Sequence, residues 1–181
     1  ASVDLAVSEY GASIWCDPHR WLPEAHRLLR PGGRLWFLRN STLSPSGTRA
    51  LFEARGDIFS VPAEHGVIRN LTRTSGSAER FPTWSPDGKL IACFSDNSGE
   101  YELTVRNADG TGTAQTLTHL GPGFRYRPSW SPDSRKIAFI DQAMRIWLHD
   151  RDARTTRPID RQLWRYQGEL SDMSFSWSAD S

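Results

Sequence analysis

The sequence predicts a mainly β fold: a partial β-propeller of about three four-stranded blades, incomplete at both ends and preceded by a small β-α-β segment. A recurring Trp-Ser-Pro-Asp-Gly element, with short strand-like runs between its copies, predicts the propeller. A helix-period stretch confined to residues 1–42 predicts the preceding segment. The 181 residues are 38% hydrophobic and 24% charged, which is typical of a globular chain rather than a disordered or membrane-embedded one.

Composition excludes several classes of partner. The net charge of +1 provides no general attraction to nucleic acid or to anionic membranes, so we expect neither as a partner. Cys16 and Cys93 are isolated and the five histidines are scattered, so no metal site is predicted. We expect a cytoplasmic location. A periplasmic one stays open, because the chain does not begin with Met.

The β-α-β segment is predicted over residues 1–42. Residues 2–8 have the pattern of a buried strand, and Asp17 and Pro18 are suited to the N-cap and first position of a helix. Apolar residues then recur at helical spacing until the Pro-Gly-Gly at residues 31–33, which is predicted to end the helix before a strand at 35–38. Strand, helix and strand in this order predict a unit of a parallel sheet.

The strings DLAVSEYGAS and LLRPGGRL in this segment resemble the late part of class I S-adenosylmethionine-dependent methyltransferases. The resemblance implies that Ser8, Glu9 and Tyr10, just past the fourth strand of such a domain, would face the cofactor or methyl acceptor. The alternative is that they line a loop. The family's Gly-rich cofactor turn follows its first strand, and this chain begins at what would be the fourth. We therefore expect no cofactor, with S-adenosylmethionine relevant only to a complete domain.

Residues 43–181 are predicted to form the propeller. The repeated element begins near Leu43, Trp84, Trp130 and Trp177, so successive copies lie 41, 46 and 47 residues apart. A period of roughly 40–50 residues, with about four short strands in each unit, is typical of propeller blades.

Strands can be assigned within each unit. The second unit is the clearest, with strands predicted at 81–84, 90–94, 101–105 and 113–118 and a hairpin at Asp109-Gly110. The flanking strands are 49–53, 58–61 and 67–71 upstream, and 136–140, 145–148, 155–159 and 174–177 downstream. The first unit lacks a leading strand in this assignment. We hypothesise that residues 35–38 fill the vacancy beside 49–53.

The repeated residues are interpreted as architectural rather than catalytic. Trp84, Trp130 and the truncated copy at Trp177 would fill the wedge between neighbouring sheets. Asp87 and Asp133 would hydrogen-bond the turn backbone, and Gly88 is free to take positive φ. Ser134 replaces that glycine in the third unit, which predicts a looser hairpin.

The combination FEARGDIFSVPAE…RNLTRT within residues 43–181 resembles the propeller of tricorn-type proteases. The propellers of TolB and prolyl peptidases share only the Trp-Ser-Pro-Asp-Gly element. The tricorn resemblance implies a parent serine peptidase whose propellers bind peptides and gate their access, with the catalytic serine and histidine in domains beyond Ser181. No catalytic motif occurs in the chain, so no catalytic residue is assigned and the chain alone is expected to be inactive.

The leading hypothesis is a composite fragment of a tricorn-like peptidase, joined within residues 41–45 to the tail of a methyltransferase-like domain. Whether the join is a natural fusion or an assembly artefact stays open. The expected partners are peptides or proteins, together with the remaining blades and protease domains of the parent chain. The alternatives are a methyltransferase remnant and a TolB-like protein-interaction propeller. Open wedge faces and sheet edges would favour association.

Overall fold

The structure, a computed structural model, describes residues 2–9, 18–38, 41–161 and 176–179. Its first part contains β1 (Val3–Glu9), α1 (Pro18–Leu28) and β2 (Leu29–Leu38). Strand β1 pairs with β2 in parallel, from Leu5 opposite Arg34 to Glu9 opposite Leu38. The first part therefore has the predicted strand-helix-strand order, while its assignment to the methyltransferases stays a prediction.

Helix α1 ends earlier than predicted. Its last residue is Leu28, and the Pro-Gly-Gly at residues 31–33 lies inside β2 rather than between the helix and the strand. Pro31 explains the difference, because proline disfavours helical backbone at the residue before it and cannot donate to the helix. Arg30 consequently lies in the strand, where its Nη1 donates to Asp4 Oδ1 of the neighbouring strand over 3.2 Å.

Three four-stranded antiparallel sheets follow along the chain within the described residues. Sheet 1 contains β3 (Ser41–Leu43), β4 (Arg49–Ala54), β5 (Asp57–Pro62) and β6 (Arg69–Asn70). Sheet 2 contains β7 (Glu79–Trp84), β8 (Leu90–Ser95), β9 (Glu102–Asn107) and β10 (Gln115–Thr116). Sheet 3 contains β11 (Arg125–Trp130), β12 (Lys136–Asp141), β13 (Arg145–Asp150) and β14 (Thr155–Arg161). Each sheet keeps the order of its strands in the chain, as in the up-and-down blade of a propeller.

The leading strand of sheet 1 corrects one sequence hypothesis. Strand β3 pairs with β4, with Thr42 opposite Leu51 and Leu43 opposite Ala50, so residues 41–43 occupy the leading position. Residues 35–38 pair with β1 instead, and the hypothesis that they fill the vacancy was wrong. The strand was missed because three residues carry too little alternation to show a period.

The sheets pack face to face in chain order. Between sheets 1 and 2 lies one apolar cluster, and between sheets 2 and 3 lies a second, in which Phe94 and Phe139 meet edge to face at 5.4 Å. Strand β8 supplies both clusters, because Ile91 faces sheet 1 while Ala92 and Phe94 face sheet 3. Burial on both faces explains why the sequence of β8 is an almost unbroken apolar run. The arrangement is that of consecutive blades in a partial propeller.

The fourth strands depart most from the predicted bounds. Strands β6 and β10 contain two residues each, although the sequence predicted strands at 67–71 and 113–118. Residues 111–116 are exposed, so little burial favours a longer strand there. Residues 174 and 175 of the predicted last strand lie outside the described part of the chain, and Trp177 is described without strand structure.

We expect that replacing Trp130 with alanine lowers the free energy of unfolding by about 3–5 kcal/mol, the usual cost of removing a buried aromatic side chain. The indole is 6% exposed and lies in the cluster between sheets 2 and 3. Urea unfolding followed by circular dichroism measures the change.

The matched control is Leu43→Ala, since Leu43 occupies the same position of the repeat but is 69% exposed. This control is expected to change stability by less than about 0.5 kcal/mol. Equal losses in the two variants would contradict the assignment of Trp130 to the core between sheets.

Candidate binding surface

The repeated turn has the same geometry in all three sheets. The N–H of its fourth residue donates to the carbonyl of its first: Gly47 to Ser44 over 2.8 Å, Gly88 to Ser85 over 2.9 Å and Ser134 to Ser131 over 2.9 Å. The fourth residue is left-handed each time, with φ of 70° at Gly47, 72° at Gly88 and 63° at Ser134. The repeat seen in the sequence is therefore a repeated turn between the first and second strands of each sheet.

The aspartates of this turn bond within it. Asp133 Oδ1 accepts from the Ser131 hydroxyl over 2.6 Å and from the Arg135 N–H over 2.9 Å. These two hydrogen bonds lower the pKa of Asp133. Asp87 is placed in the same way, with the Ser85 hydroxyl at 2.5 Å. Both carboxylates thus have their nearest donors inside their own turn.

Each tryptophan of the repeat bonds to the preceding unit. Trp84 Nε1 donates to the Thr42 carbonyl over 3.2 Å, and Trp130 Nε1 donates to the Thr83 carbonyl over 3.4 Å. Trp177 Nε1 donates to the Ser129 hydroxyl over 3.0 Å. The acceptors Thr42, Thr83 and Ser129 occupy one position, directly before the repeated element. The indoles therefore join consecutive units at equivalent points.

The third turn keeps the hydrogen bond of the second although Ser134 replaces glycine, and the looser hairpin stays a prediction. Ser134 is 5% exposed, and its hydroxyl accepts from the Asp87 N–H of the neighbouring turn over 3.1 Å. Its carbonyl accepts from Arg151 Nη1 over 2.8 Å, and Arg151 Cζ lies 5.5 Å from the Trp130 ring centroid. The serine side chain thus connects two turns, which glycine could not do.

A buried carboxylate, not anticipated from the sequence, lies at the opposite end of the strands. Glu102 is 3% exposed and accepts from the Thr118 hydroxyl over 2.5 Å and from the Leu120 N–H over 2.7 Å. In sheet 1 the equivalent hydroxyl, Thr72, donates to Asp57 over 2.8 Å. The recurrence of Leu-Thr at 71–72 and 117–118 was a signal for this contact, because its spacing equals that between Trp84 and Trp130.

Four half-buried aromatic rings and one arginine meet at the seam between sheets 2 and 3. We call Arg80, Phe81, Tyr101, Phe124 and Tyr126 the aromatic cluster. The Phe124 centroid lies 5.3 Å from that of Tyr101, 5.0 Å from that of Tyr126 and 6.4 Å from that of Phe81. Arg80 is exposed, and its Cζ lies 6.0 Å from the centroids of Tyr101 and Phe124. The cluster thus combines apolar faces with a solvent-accessible guanidinium.

Backbone irregularities position this cluster. The pairing of β7 with β8 shifts between Arg80 and Thr83, and that of β11 with β12 shifts between Tyr126 and Ser129. Within these bulges Phe81 and Arg127 have positive φ, 53° and 30°. A left-handed bulky residue is uncommon and costs roughly 1–3 kcal/mol, so the surrounding structure must hold it in place. The Phe81 N–H donates to Glu53 Oε2 of sheet 1 over 3.1 Å, which fixes the bulge in place.

Cys93 and His149 are both buried. Burial raises the pKa of the Cys93 thiol to about 12, so it is protonated at neutral pH and a poor nucleophile. Of the five histidines, His149 is buried and the other four are exposed. Within the described part of the chain, no group of three or more His, Cys, Asp or Glu is placed to hold a metal. No helix there is long and apolar enough to cross a membrane.

Two of the three methyltransferase-type residues belong to β1. Ser8 and Glu9 are the last two residues of β1, and Tyr10 lies outside the described residues. Their predicted cofactor role stays a prediction.

Sequence comparison finds peptidases among the relatives. No protein-family model matches the chain. The chain is 37% identical over 79 residues to the uncharacterised peptidase YuxL of Bacillus subtilis, a match that covers 43% of the chain and 10% of YuxL. It is 33% identical over 99 residues to dipeptidyl-peptidase 5 of Porphyromonas gingivalis, covering 52% of the chain and 14% of that protein. The chain therefore corresponds to a small part of the length of these relatives.

Structure comparison finds the same fold in TolB. TolB from Acinetobacter baumannii superimposes with a TM-score of 0.55 at 24% identity, over 66% of the chain and 31% of TolB. A tricorn protease superimposes with a TM-score of 0.47 at 18% identity, over 61% of the chain and 11% of the protease. The TolB likeness establishes the fold alone. The tricorn assignment stays a prediction from the sequence.

We expect two substitutions of Ser134 to differ in their effect on stability. Ser134→Ala keeps the left-handed strain and loses the hydroxyl contact to Asp87, which costs about 1 kcal/mol of stability. Ser134→Gly loses the same contact but relieves strain of roughly 1 kcal/mol, so its stability stays near that of the wild type. Chemical denaturation of the two variants measures both values.

The matched control is Gly88→Ala, which introduces the strain at the equivalent position without removing a hydroxyl. The added methyl group meets only Pro45 Cδ, at 3.9 Å, so the loss of stability measures the cost of the left-handed conformation alone. If Ser134→Ala were as stable as the wild type, the contact between the turns would contribute nothing.

Proposed function

We propose that this chain is a propeller module that binds peptide or protein segments within a larger peptidase-like protein. The observation that carries the proposal is the aromatic cluster at the seam between sheets 2 and 3. Its rings are half-buried, so each is held in place by packing yet keeps part of its surface for a ligand.

The composition of the cluster supports a polypeptide ligand. Aromatic residues and arginine are enriched at the centres of protein interfaces, where they contribute much of the binding energy. Arg80 is exposed beside Tyr101 and Phe124, so it could pair with a ligand carboxylate while the rings contact an apolar side chain. An extended segment carrying one acidic and one apolar side chain fits both features.

The peptidase context comes from the relatives. YuxL and dipeptidyl-peptidase 5 are both named as peptidases, and the chain matches a small fraction of each. We propose that peptide cleavage belongs to other domains of the parent protein and that this chain contributes binding and gating. The FEARGDIFSVPAE…RNLTRT motif makes a tricorn-like serine peptidase the preferred parent.

A TolB-like interaction module is the second candidate. The likeness to TolB, at a TM-score of 0.55, favours it as far as the fold is concerned. In that case the ligand is a folded protein partner rather than an unstructured peptide. The third alternative, a methyltransferase remnant at residues 1–42, rests on sequence resemblance alone.

We expect short unstructured peptides that carry an acidic residue beside an apolar one to bind saturably to the chain without being cleaved. Tyr101→Ala and Arg80→Ala should each weaken binding about tenfold, which corresponds to roughly 1.4 kcal/mol. Fluorescence anisotropy with labelled peptides measures the affinity, and mass spectrometry of the recovered peptide tests for cleavage.

Arg157→Ala is the matched control, because Arg157 is an exposed arginine on β14 of sheet 3, away from the cluster. It should leave the affinity unchanged. Equal loss of affinity in the control, or no saturable peptide binding at all, would contradict the peptide-binding proposal. Binding of folded proteins but not of peptides would favour the TolB-like alternative.

A further inference from the structure

A basic groove follows the seam between sheets 1 and 2. Its central part is an open pocket of about 480 Å³ lined by Arg69, Arg73 and Arg106. A smaller pocket of about 200 Å³ continues from it, and Thr72 and Arg106 line both. Three guanidinium groups thus line one continuous groove, on the opposite side of sheet 2 from the aromatic cluster.

Arg106 faces this groove because of the register of sheet 2. It pairs with Ile91, and paired residues of antiparallel strands point to the same face, here the face packed on sheet 1. Its Nε is buried and has no hydrogen-bond partner within the described part of the chain. A buried donor without an acceptor is costly, the more so on a side chain that stays charged at every physiological pH.

The carboxylates near the groove bond elsewhere. Asp57 accepts from Asn70 Nδ2 and from the Thr72 hydroxyl, each over 2.8 Å. Asp109, at the rim, accepts from the Thr111 hydroxyl over 2.7 Å and from the Thr111 N–H over 2.8 Å. None of the ion pairs formed within the described residues involves Arg69, Arg73 or Arg106.

Glu79 in the smaller pocket is likewise engaged. Its carboxylate accepts from the hydroxyls of Thr74 over 2.8 Å and Ser95 over 3.0 Å. The groove is therefore lined by three arginines and two carboxylates, Glu79 and Asp109, whose hydrogen bonds are to other donors.

The two remaining arginines are each held at the groove by a hydrogen bond. Arg69 Nη1 donates to the Asp109 carbonyl over 3.1 Å, which extends its side chain from sheet 1 towards sheet 2. Arg73 has a left-handed φ of 51°, and its N–H donates to Asn70 Oδ1 over 3.1 Å. Its side chain is exposed at the pocket and is available to a ligand from solvent.

We propose that Arg69, Arg73 and Arg106 form a binding site for one oxyanion, a carboxylate or a phosphate group. Guanidinium groups present a planar fork of donors that matches the oxygen spacing of both groups. An oxyanion in the groove offsets the positive charge of Arg106, which lines both pockets. This site lies on a different seam from the aromatic cluster, so it stands whether or not the cluster binds peptides.

Isothermal titration with inorganic phosphate and with acetate, at constant ionic strength, tests the proposal. We expect saturable binding of at least one of them with one site per chain. Arg106→Gln should weaken it about tenfold or more, as expected when a charge-assisted hydrogen bond is lost. Arg73→Gln should also weaken it without changing the unfolding midpoint, since the side chain is exposed. Arg157→Gln, remote from the groove, should titrate like the wild type.

The two probes also distinguish the source of the oxyanion. Binding of phosphate alone indicates a phosphate ligand, and binding of acetate indicates a carboxylate such as an acidic side chain. If neither probe binds saturably, or if Arg73→Gln and Arg106→Gln titrate like the wild type, the proposal is overturned. Arg73→Gln decides the question if Arg106→Gln does not fold.

Discussion

The structure depends on the requirement that sheet 2 be covered on both faces. Its second strand contributes Ile91 to one apolar cluster and Phe94 to the other, so removing either neighbouring sheet would expose fully buried side chains. The tryptophans meet this requirement both by packing and by hydrogen bonding. The side chains of Trp84 and Trp130 fill the space between sheets. Each indole N–H also donates to a carbonyl in the first strand of the preceding sheet. Packing and hydrogen bonding thus act at one point in each unit.

The two ends of the strands have different roles as a result. At the turn end the repeated serine, aspartate and tryptophan side chains bond to one another and to the adjacent unit, which leaves them little capacity for ligands. Towards the other end the first strands bulge, and Phe81 takes a left-handed conformation beside three other aromatic rings. The basic groove occupies the other face of sheet 2. The aromatic cluster is therefore separated from the turn end, whereas the groove reaches it, because Arg69 and Asp109 also line a pocket with Trp84 and Asp87.

The sequence predicted the bounds of a strand correctly where the residues of that strand and its flanking turns were sufficient to mark them. Strands such as β4, β8 and β12 were located within one residue because alternation and flanking turns marked them. Strand β3 was missed because three residues show no period. The helix α1 was predicted to end too late, because Pro31 disfavours helical backbone at the residue before it. The contact of Ser134 with Asp87 was not predicted, because its partner comes from another unit. The aromatic cluster and the basic groove join residues far apart in the chain, so spacing alone could not reveal them.

Native-state amide hydrogen exchange in increasing denaturant tests most directly whether the inter-sheet contacts make the sheets one cooperative unit. The amides of β8 in sheet 2 and β12 in sheet 3 lie on opposite sides of the cluster that contains Trp130. If that cluster couples the sheets, the two strands will converge on a single free energy of opening. Separate free energies that persist for β8 and β12 up to global unfolding would contradict the account.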